Sequence, residues 1–249
     1  MKVIKDFIIT FGNYLLLMKE ACKKPQNWKV FLRRVIFEMK TLGVDSIVIV
    51  LIISIFVGAA IVMQILLNLE NPLFPKWIYG YTTRKAIMLE LSPTIISLIL
   101  AGKCASQIAS ELGTQRITEQ IDALEVMGVN TASYLIMPKV IACVIFFPIL
   151  AVLSIFSAII GGGLGGLLLG SLSMFDYVEG LRLEFFMIDF WYAISKILVN
   201  AIIISTIACY KGYTIKGGSV EVGHQSTLAV VQSSIVIMLF NVIMTELFN

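Results

Sequence analysis

The sequence predicts an all-α integral membrane protein, with an N-terminal interfacial amphipathic helix, about five transmembrane helices and one further helix in a polar loop. Of the 249 residues, 58% are hydrophobic and 14% are charged, and the mean hydropathy is +0.92, whereas soluble domains carry roughly 25% charged residues. The charges are also clustered, because nine Lys and Arg residues lie within the first 46 positions. Both features exclude an ordinary soluble enzyme and indicate apolar spans separated by wet loops.

Residues 1–46 are predicted to form interfacial helices ahead of a transmembrane domain at 47–249. Apolar residues recur at helical spacing through the first 20 positions, interrupted by Asp6 and Gly12. No small-residue cleavage site follows, so the segment is a poor signal peptide. After Pro25, a second apolar face runs from Trp28 to Met39 with basic residues opposite. Helices of this kind lie along a membrane surface.

Five segments are long and apolar enough to cross a membrane, since a span needs about 20 residues. They cover residues 47–69, 86–110, 140–170, 190–210 and 228–246. The third contains Pro148 and ends in a glycine-rich run from Gly161 to Gly166, so it must tilt, kink or protrude. Two glycine pairs in this run have GxxxG spacing, which favours close packing against another helix of the same chain.

The distribution of Lys and Arg predicts a cytoplasmic N-terminus and, after five crossings, a C-terminus on the outer side. This orientation places 13 Lys and Arg residues in the cytoplasm and four outside, and it leaves Lys103 and Lys196 within spans. An excess of basic residues on the cytoplasmic side is the usual arrangement. The loop over 111–139 is therefore expected to be cytoplasmic.

The residues that could carry metal or catalytic chemistry are scattered. The single histidine, His224, has no ligand-type neighbour at metal spacing, and the four cysteines lie far apart. We expect those cysteines to be buried free thiols. A net charge of +3 is too small to predict a nucleic-acid partner. We therefore predict no catalytic residue, no metal site and no nucleic-acid binding.

The cytoplasmic loop contains a patterned segment, ELGTQRITEQIDALEVMGVN, which is too polar to span. Its apolar face is formed by Ile117, Ile121 and Leu124, and its acidic face by Glu119, Asp122 and Glu125. This spacing predicts a short amphipathic helix that ends near Gly128, a suitable C-terminal cap. The pattern alone leaves two roles open: a solvated connector that rests on the membrane, and a docking surface for another protein.

Three charged residues fall in the interior of the predicted spans, at Glu90, Lys103 and Lys196. Each charge costs about 2.5 to 3.5 kcal/mol at mid-span, so each calls for a partner or a polar cavity. Glu90 and Lys196 lie at similar depth on the outer side, which makes an ion pair feasible. Such a pair either fixes helix packing only or serves a functional role, and the residues alone leave both open.

Residues 101–138, AGKCASQIASELGTQRITEQIDALEVMGVNTASYLIMP, resemble the signature of the MlaE (YrbE) family of ABC-transporter permeases. Further similarity occurs in FVGAAIVMQ at 56–64, in CYKGYTIKGGSVEVGHQSTLAVVQSS at 209–234 and at Thr245. The resemblance covers most of the chain, and its central motif is too long for a chance match.

The resemblance implies a permease that pairs with a second copy of itself in the bacterial inner membrane. It also implies a cytoplasmic ABC ATPase dimer, a periplasmic ring of MCE-domain subunits and, as an optional component, a STAS-domain subunit. The cargo would be phospholipid, moved between the inner membrane and the periplasm or outer membrane, with a role in outer-membrane lipid asymmetry. No cofactor is expected in this chain, because Gly102 and Lys103 are followed by Cys104 and do not complete a GxxxxGK[ST] phosphate loop. ATP and Mg²⁺ would be bound by the ATPase.

The resemblance also assigns roles to individual residues. Segment 114–128 would be the coupling helix that docks in the ATPase, with these contacts: Glu119, Ile121, Asp122, Leu124, Glu125 and Met127. The lipid pathway would include Met63, Gln64, Leu67, Glu90, Lys196 and Asn241. The chain departs from the family pattern at Leu89 and Lys103, which are often Arg, and at Asn241, which is commonly Asp. At Asn241 the last span therefore carries an amide that can hydrogen-bond but cannot ionise.

Three other classes of function compete with this interpretation. A proton-coupled secondary transporter would use Glu90 and Lys196 and would work without an ATPase. A membrane-embedded lipid-modifying enzyme would need a base and a nucleophile, and no His/Asp pair or HxxxxD-like cluster is present. A pure scaffold would bind no lipid in a cavity.

Overall fold

The computed structural model describes residues 2–25, 27–68, 75–168 and 172–248, and all regular elements within these ranges are helical. The α-helices in chain order are α1 (Lys2–Ala21), α2 (Trp28–Glu38), α3 (Ile47–Asn68), α4 (Trp77–Ala86), α5 (Ser92–Leu100), α6 (Ser106–Ile117), α7 (Gln120–Val126), α8 (Thr131–Leu168), α9 (Met174–Arg182), α10 (Met187–Tyr213) and α11 (Ser219–Phe248). Wider π-helical turns connect some of them without a break in the helical path, at Met39–Gly43, Ile87–Leu91 and Ala101–Ala105.

Five helical runs of the described residues are long and apolar enough to cross a membrane. They are Trp28–Asn68, Trp77–Ile117, Thr131–Leu168, Met187–Tyr213 and Ser219–Leu247. The predicted number of spans and the all-α membrane fold are therefore confirmed. The runs are 27 to 41 residues long, and about 20 residues suffice to cross. Their ends must therefore extend past the hydrocarbon layer or run along its surface.

The chain divides into two compact units. Unit 1 comprises Met1–Val44, Leu100–Phe146 and Asn200–Phe240, and unit 2 comprises Asp45–Ile99, Phe147–Val199 and Asn241–Asn249. The helices α8, α10 and α11 contribute residues to both units. Each unit has its own buried residues and its own polar cluster, and the two are described separately below.

Unit 1 is held together by side chains that tie the N-terminal helices to later ones. The Tyr14 hydroxyl on α1 donates to Thr206 Oγ1 on α10 at 2.9 Å. On α2, the Arg34 guanidinium donates to the Tyr134 carbonyl at 3.0 Å and lies over the Tyr134 ring, which combines a hydrogen bond with a cation–π contact.

The free thiols of this unit are mostly sealed from solvent. Cys104, Cys143 and Cys209 are fully buried, as predicted, whereas Cys22 is exposed at the end of α1. The expectation of buried thiols is therefore wrong for Cys22, which lies in the turn after α1 and not on the packed face of a helix.

Unit 2 contains a close crossing of α3 and α8 made possible by glycine. A Cβ on Gly161 would collide with the carbonyl of Ile55, and a Cβ on Gly58 would collide with the carbonyl of Ala158. Gly165 packs in the same way against Ala59, one helical turn further along. The GxxxG spacing of α8 therefore serves packing within the chain, as predicted, because only glycine lets the two backbones approach this closely.

A second close crossing joins α4 to α9. Cβ atoms on Gly80 and Gly180 would each collide with a backbone carbonyl of the other helix. Tyr177 on α9 is buried, and its hydroxyl donates to the Ile159 carbonyl at 2.9 Å. Burial raises the pKa of this hydroxyl, so it remains a donor. The crossing fixes the ends of α4 and α9 against the third span.

Replacing Gly161 with Ala is expected to lower the free energy of unfolding by about 1–3 kcal/mol, the usual cost of overpacking. The added methyl group meets backbone, which cannot move aside as a flexible side chain could. Gly12→Ala is the matched control, because nothing lies within 4 Å of the Cβ position of Gly12, and Ala is the better helix former. Thermal unfolding in detergent should separate the two variants. Equal unfolding temperatures would contradict the packing role of Gly161.

Candidate functional site

The first candidate site is a polar cluster in unit 2 around the ammonium group of Lys196 on α10. Lys196 is fully buried. Its Nζ donates to Glu90 Oε1 at 2.9 Å, to Thr245 Oγ1 at 3.0 Å and to the Leu89 carbonyl at 3.1 Å. An ammonium group has three protons, so each one has an acceptor. The ion pair between Glu90 and Lys196, which the depth of both residues made feasible, is present.

A proline on the second span explains why a backbone carbonyl is available to Lys196. In an α-helix the carbonyl of Leu89 would accept from the N–H of residue 93, but Pro93 has no N–H. The helix widens into the π-helical turn Ile87–Leu91, where the N–H of Ser92 reaches back to Ile87. Lys196 then supplies the donor that Leu89 lacks. A widened turn of this kind is often found at a functional site.

Two residues of α11 complete the cluster. The Thr245 hydroxyl lies 2.8 Å from Glu90 Oε1 and 2.8 Å from the Asn241 carbonyl, either of which can accept its single proton. The Asn241 amide donates to Thr94 Oγ1 at 3.1 Å. Asn241 therefore belongs to the same end of α11 and acts as a hydrogen-bond donor. Thr245, which sequence reasoning did not select as a site residue, lies one turn after Asn241, and that spacing was a usable signal.

The exposure of the two charged groups differs. The Lys196 side chain is sealed, whereas the Glu90 side chain is 45% exposed. The cluster thus exposes the Glu90 carboxylate at the surface of the chain, and the positively charged Lys196 is buried behind it. A polar molecule at this point would contact the Glu90 carboxylate, whose negative charge is balanced by the Lys196 ammonium group.

The other predicted pathway residues lie in the C-terminal half of α3. Met63 is half-buried, and Gln64 and Leu67 are exposed. The Gln64 side chain forms no hydrogen bond with another residue in the described part of the chain, so it makes no interhelical bond there. These three side chains form an apolar surface with one amide on a helix that is itself little buried.

The second candidate site is the segment between α6 and α8 in unit 1. The single helix predicted over 114–128 is instead two helices, because α6 ends at Ile117 and α7 begins at Gln120. Glu119 has a left-handed backbone with φ 59°, which few residues other than Gly and Asn adopt. The break allows Arg116 to pair with Asp122 at 2.6 Å, six positions apart, which an unbroken helix would place on different faces.

The C-terminal end of α7 is capped as predicted. Gly128 adopts φ 78°, its N–H donates to Glu125, and the N–H of Val129 donates to Leu124. This pair of bonds is the Schellman motif, which satisfies the last carbonyls of a helix. The chain therefore leaves α7 in a defined direction.

The predicted docking residues of the α7 segment divide into two that face the protein interior and four that are exposed. Ile121 is fully buried within unit 1 and Leu124 is half-buried, so both hold the helix in place. Glu119, Asp122 and Glu125 are exposed, and the Met127 side chain is 68% exposed. Val126, which the sequence pattern did not select, is 90% exposed and is the most prominent apolar group of this segment.

Glu125 also fastens α7 to the two long helices beside it. Its Oε1 accepts from Thr131 Oγ1 at the start of α8 and from the Tyr213 hydroxyl at the end of α10, both at 3.1 Å. The hydroxyl oxygens of Thr131 and Tyr213 lie 2.7 Å from each other. Glu125 therefore links α7 to the start of α8 and to the end of α10. The sequence pattern missed both hydroxyl partners, because they are distant in the chain.

Comparison with known proteins identifies the family. The family model described as "Permease MlaE" matches residues 35–247. The chain belongs to the MlaE permease family. As a member of that family it is a permease subunit of an ABC transporter and a multi-pass membrane protein.

Curated relatives of this MlaE-family chain carry the same kind of name. A "probable ABC transporter permease protein" of Rickettsia prowazekii is 32% identical over 94% of this chain and 88% of its own length. One from Synechocystis is 33% identical over 84% of this chain and 79% of its own length. One from Pyropia yezoensis is 28% identical over 98% of this chain and 90% of its own length. The family match over residues 35–247 spans the positions of the Lys196 cluster and of α7.

Proposed function

We propose that this MlaE-family permease moves phospholipid, and that the Glu90–Lys196–Thr245 cluster meets the lipid headgroup. The observation that carries the proposal is the half-exposed carboxylate of Glu90, whose charge is balanced by a fully buried ammonium group. A headgroup can exchange hydrogen bonds with such a carboxylate without leaving a bare charge in the span. A few polar groups among apolar walls are typical of a ligand site.

The apolar part of the pathway is assigned to α3 and α11. These helices carry the two least buried spans, with 28% and 22% of their most apolar stretches buried, against 44–61% for the other three. Met63 and Leu67 on α3 offer a flexible apolar wall beside Gln64. We propose that the same faces pair with a second copy of the chain and enclose the acyl chains, which leaves less of each face in contact with bulk lipid.

The driving force is assigned to the partner ATPase. We propose that the ATPase dimer binds the tip of α7, and that nucleotide-driven closure pushes this helix. Because Glu125 fastens α7 to α8 and α10, the push displaces those two helices, and Lys196 lies on α10. The displacement would alter the contacts of Lys196 with Glu90 and Thr245 and release the headgroup.

The remaining parts of the proposal concern location and further partners. We place the protein in the bacterial inner membrane with a cytoplasmic N-terminus and a periplasmic C-terminus, because this orientation puts α7 on the side of the ATPase. A periplasmic ring of MCE-domain subunits would receive the lipid, and a STAS-domain subunit would be an optional addition. These partners are proposed from the family resemblance.

Purification of the whole transporter with its bound lipid tests the proposal. We expect phospholipid to co-purify at a fixed ratio to the permease, and ATP to drive transfer of labelled phospholipid between vesicles. Vanadate, which blocks ABC ATPases, should stop the transfer. A secondary transporter would instead work without the ATPase, respond to a pH gradient and be insensitive to vanadate. Transfer without the ATPase, or transfer that continues in vanadate, would refute the proposal.

A further inference from the structure

A second buried ionic cluster lies in unit 1, between α2, α6 and α8, the last two being the helices on either side of α7 in the chain. Lys139 on α8 is 1% exposed, and its Nζ lies 2.7 Å from Glu38 Oε1 and 2.7 Å from Glu111 Oε2. Glu38 ends α2, and Glu111 is on α6. The cluster therefore joins the helix that leads into α7, the helix that leads out of it and the second N-terminal helix.

The formal charges of this cluster do not cancel. Two carboxylates and one ammonium group leave a net charge of −1 if all three are ionised. Arg34, one turn before Glu38, keeps its positive charge and attracts Glu38 at a distance, but its guanidinium is bound to the carbonyl and the ring of Tyr134 and forms no ion pair with the Glu38 carboxyl group. A surplus negative charge is tolerated where water reaches it, but at a carboxyl group sealed from water it calls for a bound cation or a proton. A metal cation would lie beside the Lys139 ammonium group and be repelled by it.

The two carboxyl groups are not equivalent. Glu111 is 35% exposed, and both of its oxygens have donors, from Lys139 and from Gln115 Nε2 at 3.3 Å. Glu38 is 5% exposed, and its Oε2 is buried with no hydrogen-bond partner among the described residues. A buried carboxylate oxygen without a donor is much less favourable than the neutral acid.

We propose that Glu38 is a buried proton-binding site, with the proton on Oε2. Lys139 then pairs with the ionised Glu111, the cluster is neutral overall, and Glu38 accepts one hydrogen bond through Oε1. The charged and titratable groups that face Glu38 are Lys139, Glu111, Arg34, Cys143 and Cys209.

The proton has a consequence for movement of the α7 segment. Any motion that draws α2 away from α6 and α8 brings Glu38 into contact with water, where a carboxyl group ionises at neutral pH. The arrangement in which α2 packs on α6 and α8 (closed) therefore binds one more proton than the arrangement in which α2 has moved away from them (open). Opening is favoured as the pH rises, and it releases a proton on the side of α7.

Infrared spectroscopy of the purified protein in D₂O tests this inference. At mildly alkaline pH, where exposed carboxyl groups are ionised, we expect the wild type to show the carbonyl stretch of a protonated carboxylic acid. Glu38→Gln should remove this band and unfold at the wild-type temperature, because glutamine has the shape of the neutral acid. Glu90→Gln is the matched control and should keep the band, since Glu90 is paired one to one with Lys196.

A third variant tests the charge count itself. Glu111→Gln leaves Glu38 as the one carboxyl group beside Lys139, so Glu38 should ionise and the band should disappear although Glu38 is still present. Absence of the band from the wild type would overturn the proposal. A carbonyl band that remains in Glu38→Gln would also overturn the proposal. A band that remains in Glu111→Gln would overturn the charge argument on which the proposal rests.

Discussion

Lys196→Met is expected to reduce ATP-driven lipid transfer by the assembled transporter at least tenfold. The substitution removes the donor from Glu90, from Thr245 and from the Leu89 carbonyl that Pro93 leaves without a backbone partner. Loss of one member of a buried ion pair costs on the order of 3 kcal/mol, and the half-exposed Glu90 places this case at the low end of the usual range. Transfer of labelled phospholipid from vesicles that contain the whole complex measures the effect.

Two comparisons separate function from stability at this cluster. Lys76→Met removes a positive charge from an exposed position and should leave transfer unchanged. The double variant Lys196→Met with Glu90→Leu has no uncompensated charge, so we expect it to regain much of the lost thermal stability. Transfer should stay low in the double variant. Recovery of both stability and transfer would show that the pair serves packing alone.

Val126→Asp is expected to weaken binding of the ATPase subunit roughly 30-fold, which corresponds to about 2 kcal/mol. Val126 is 90% exposed at the tip of α7, so a carboxylate there is fully solvated in the free permease and disturbs no internal contact. Once the ATPase covers this position, the same carboxylate loses its water. Co-purification of the ATPase with the permease measures the loss, and the transmembrane fold should unfold at the wild-type temperature.

The matched control for α7 is Val220→Asp. Val220 is 87% exposed at the start of α11 and also belongs to unit 1. We expect ATPase binding to survive this change, because Val220 lies outside the segment that is fastened to α8 and α10. If Val220→Asp abolished binding and Val126→Asp did not, the docking surface would have to be reassigned to the start of α11.

The parts of the structure that depend on composition and local periodicity were predictable. Five apolar segments identified five spans, Gly161 and Gly165 identified a close helix crossing, and Gly128 identified the end of α7. The common depth of Glu90 and Lys196 was enough to suggest their ion pair. Each of these features is decided by residues within a few helical turns of one another, or by the single coordinate of depth in the membrane.

The features that were missed depend on contacts between distant parts of the chain. The break before α7 places Glu119 in a left-handed conformation that its own residue type disfavours, and the Arg116–Asp122 pair that accompanies it is visible only once the break is known. Lys139 entered the count of cytoplasmic charges as a loop residue. It is buried, because Glu38 and Glu111 reach it from two other helices.

The exposed thiol of Cys22 gives the protein a natural attachment point for a spectroscopic probe. The other three cysteines are fully buried, so a bulky maleimide should modify one position per chain without any engineered residue. Cys22 lies in the turn between α1 and α2. A spin label there would show by electron paramagnetic resonance whether two copies lie close together, and a membrane-impermeant label would show on which side of the bilayer this turn lies.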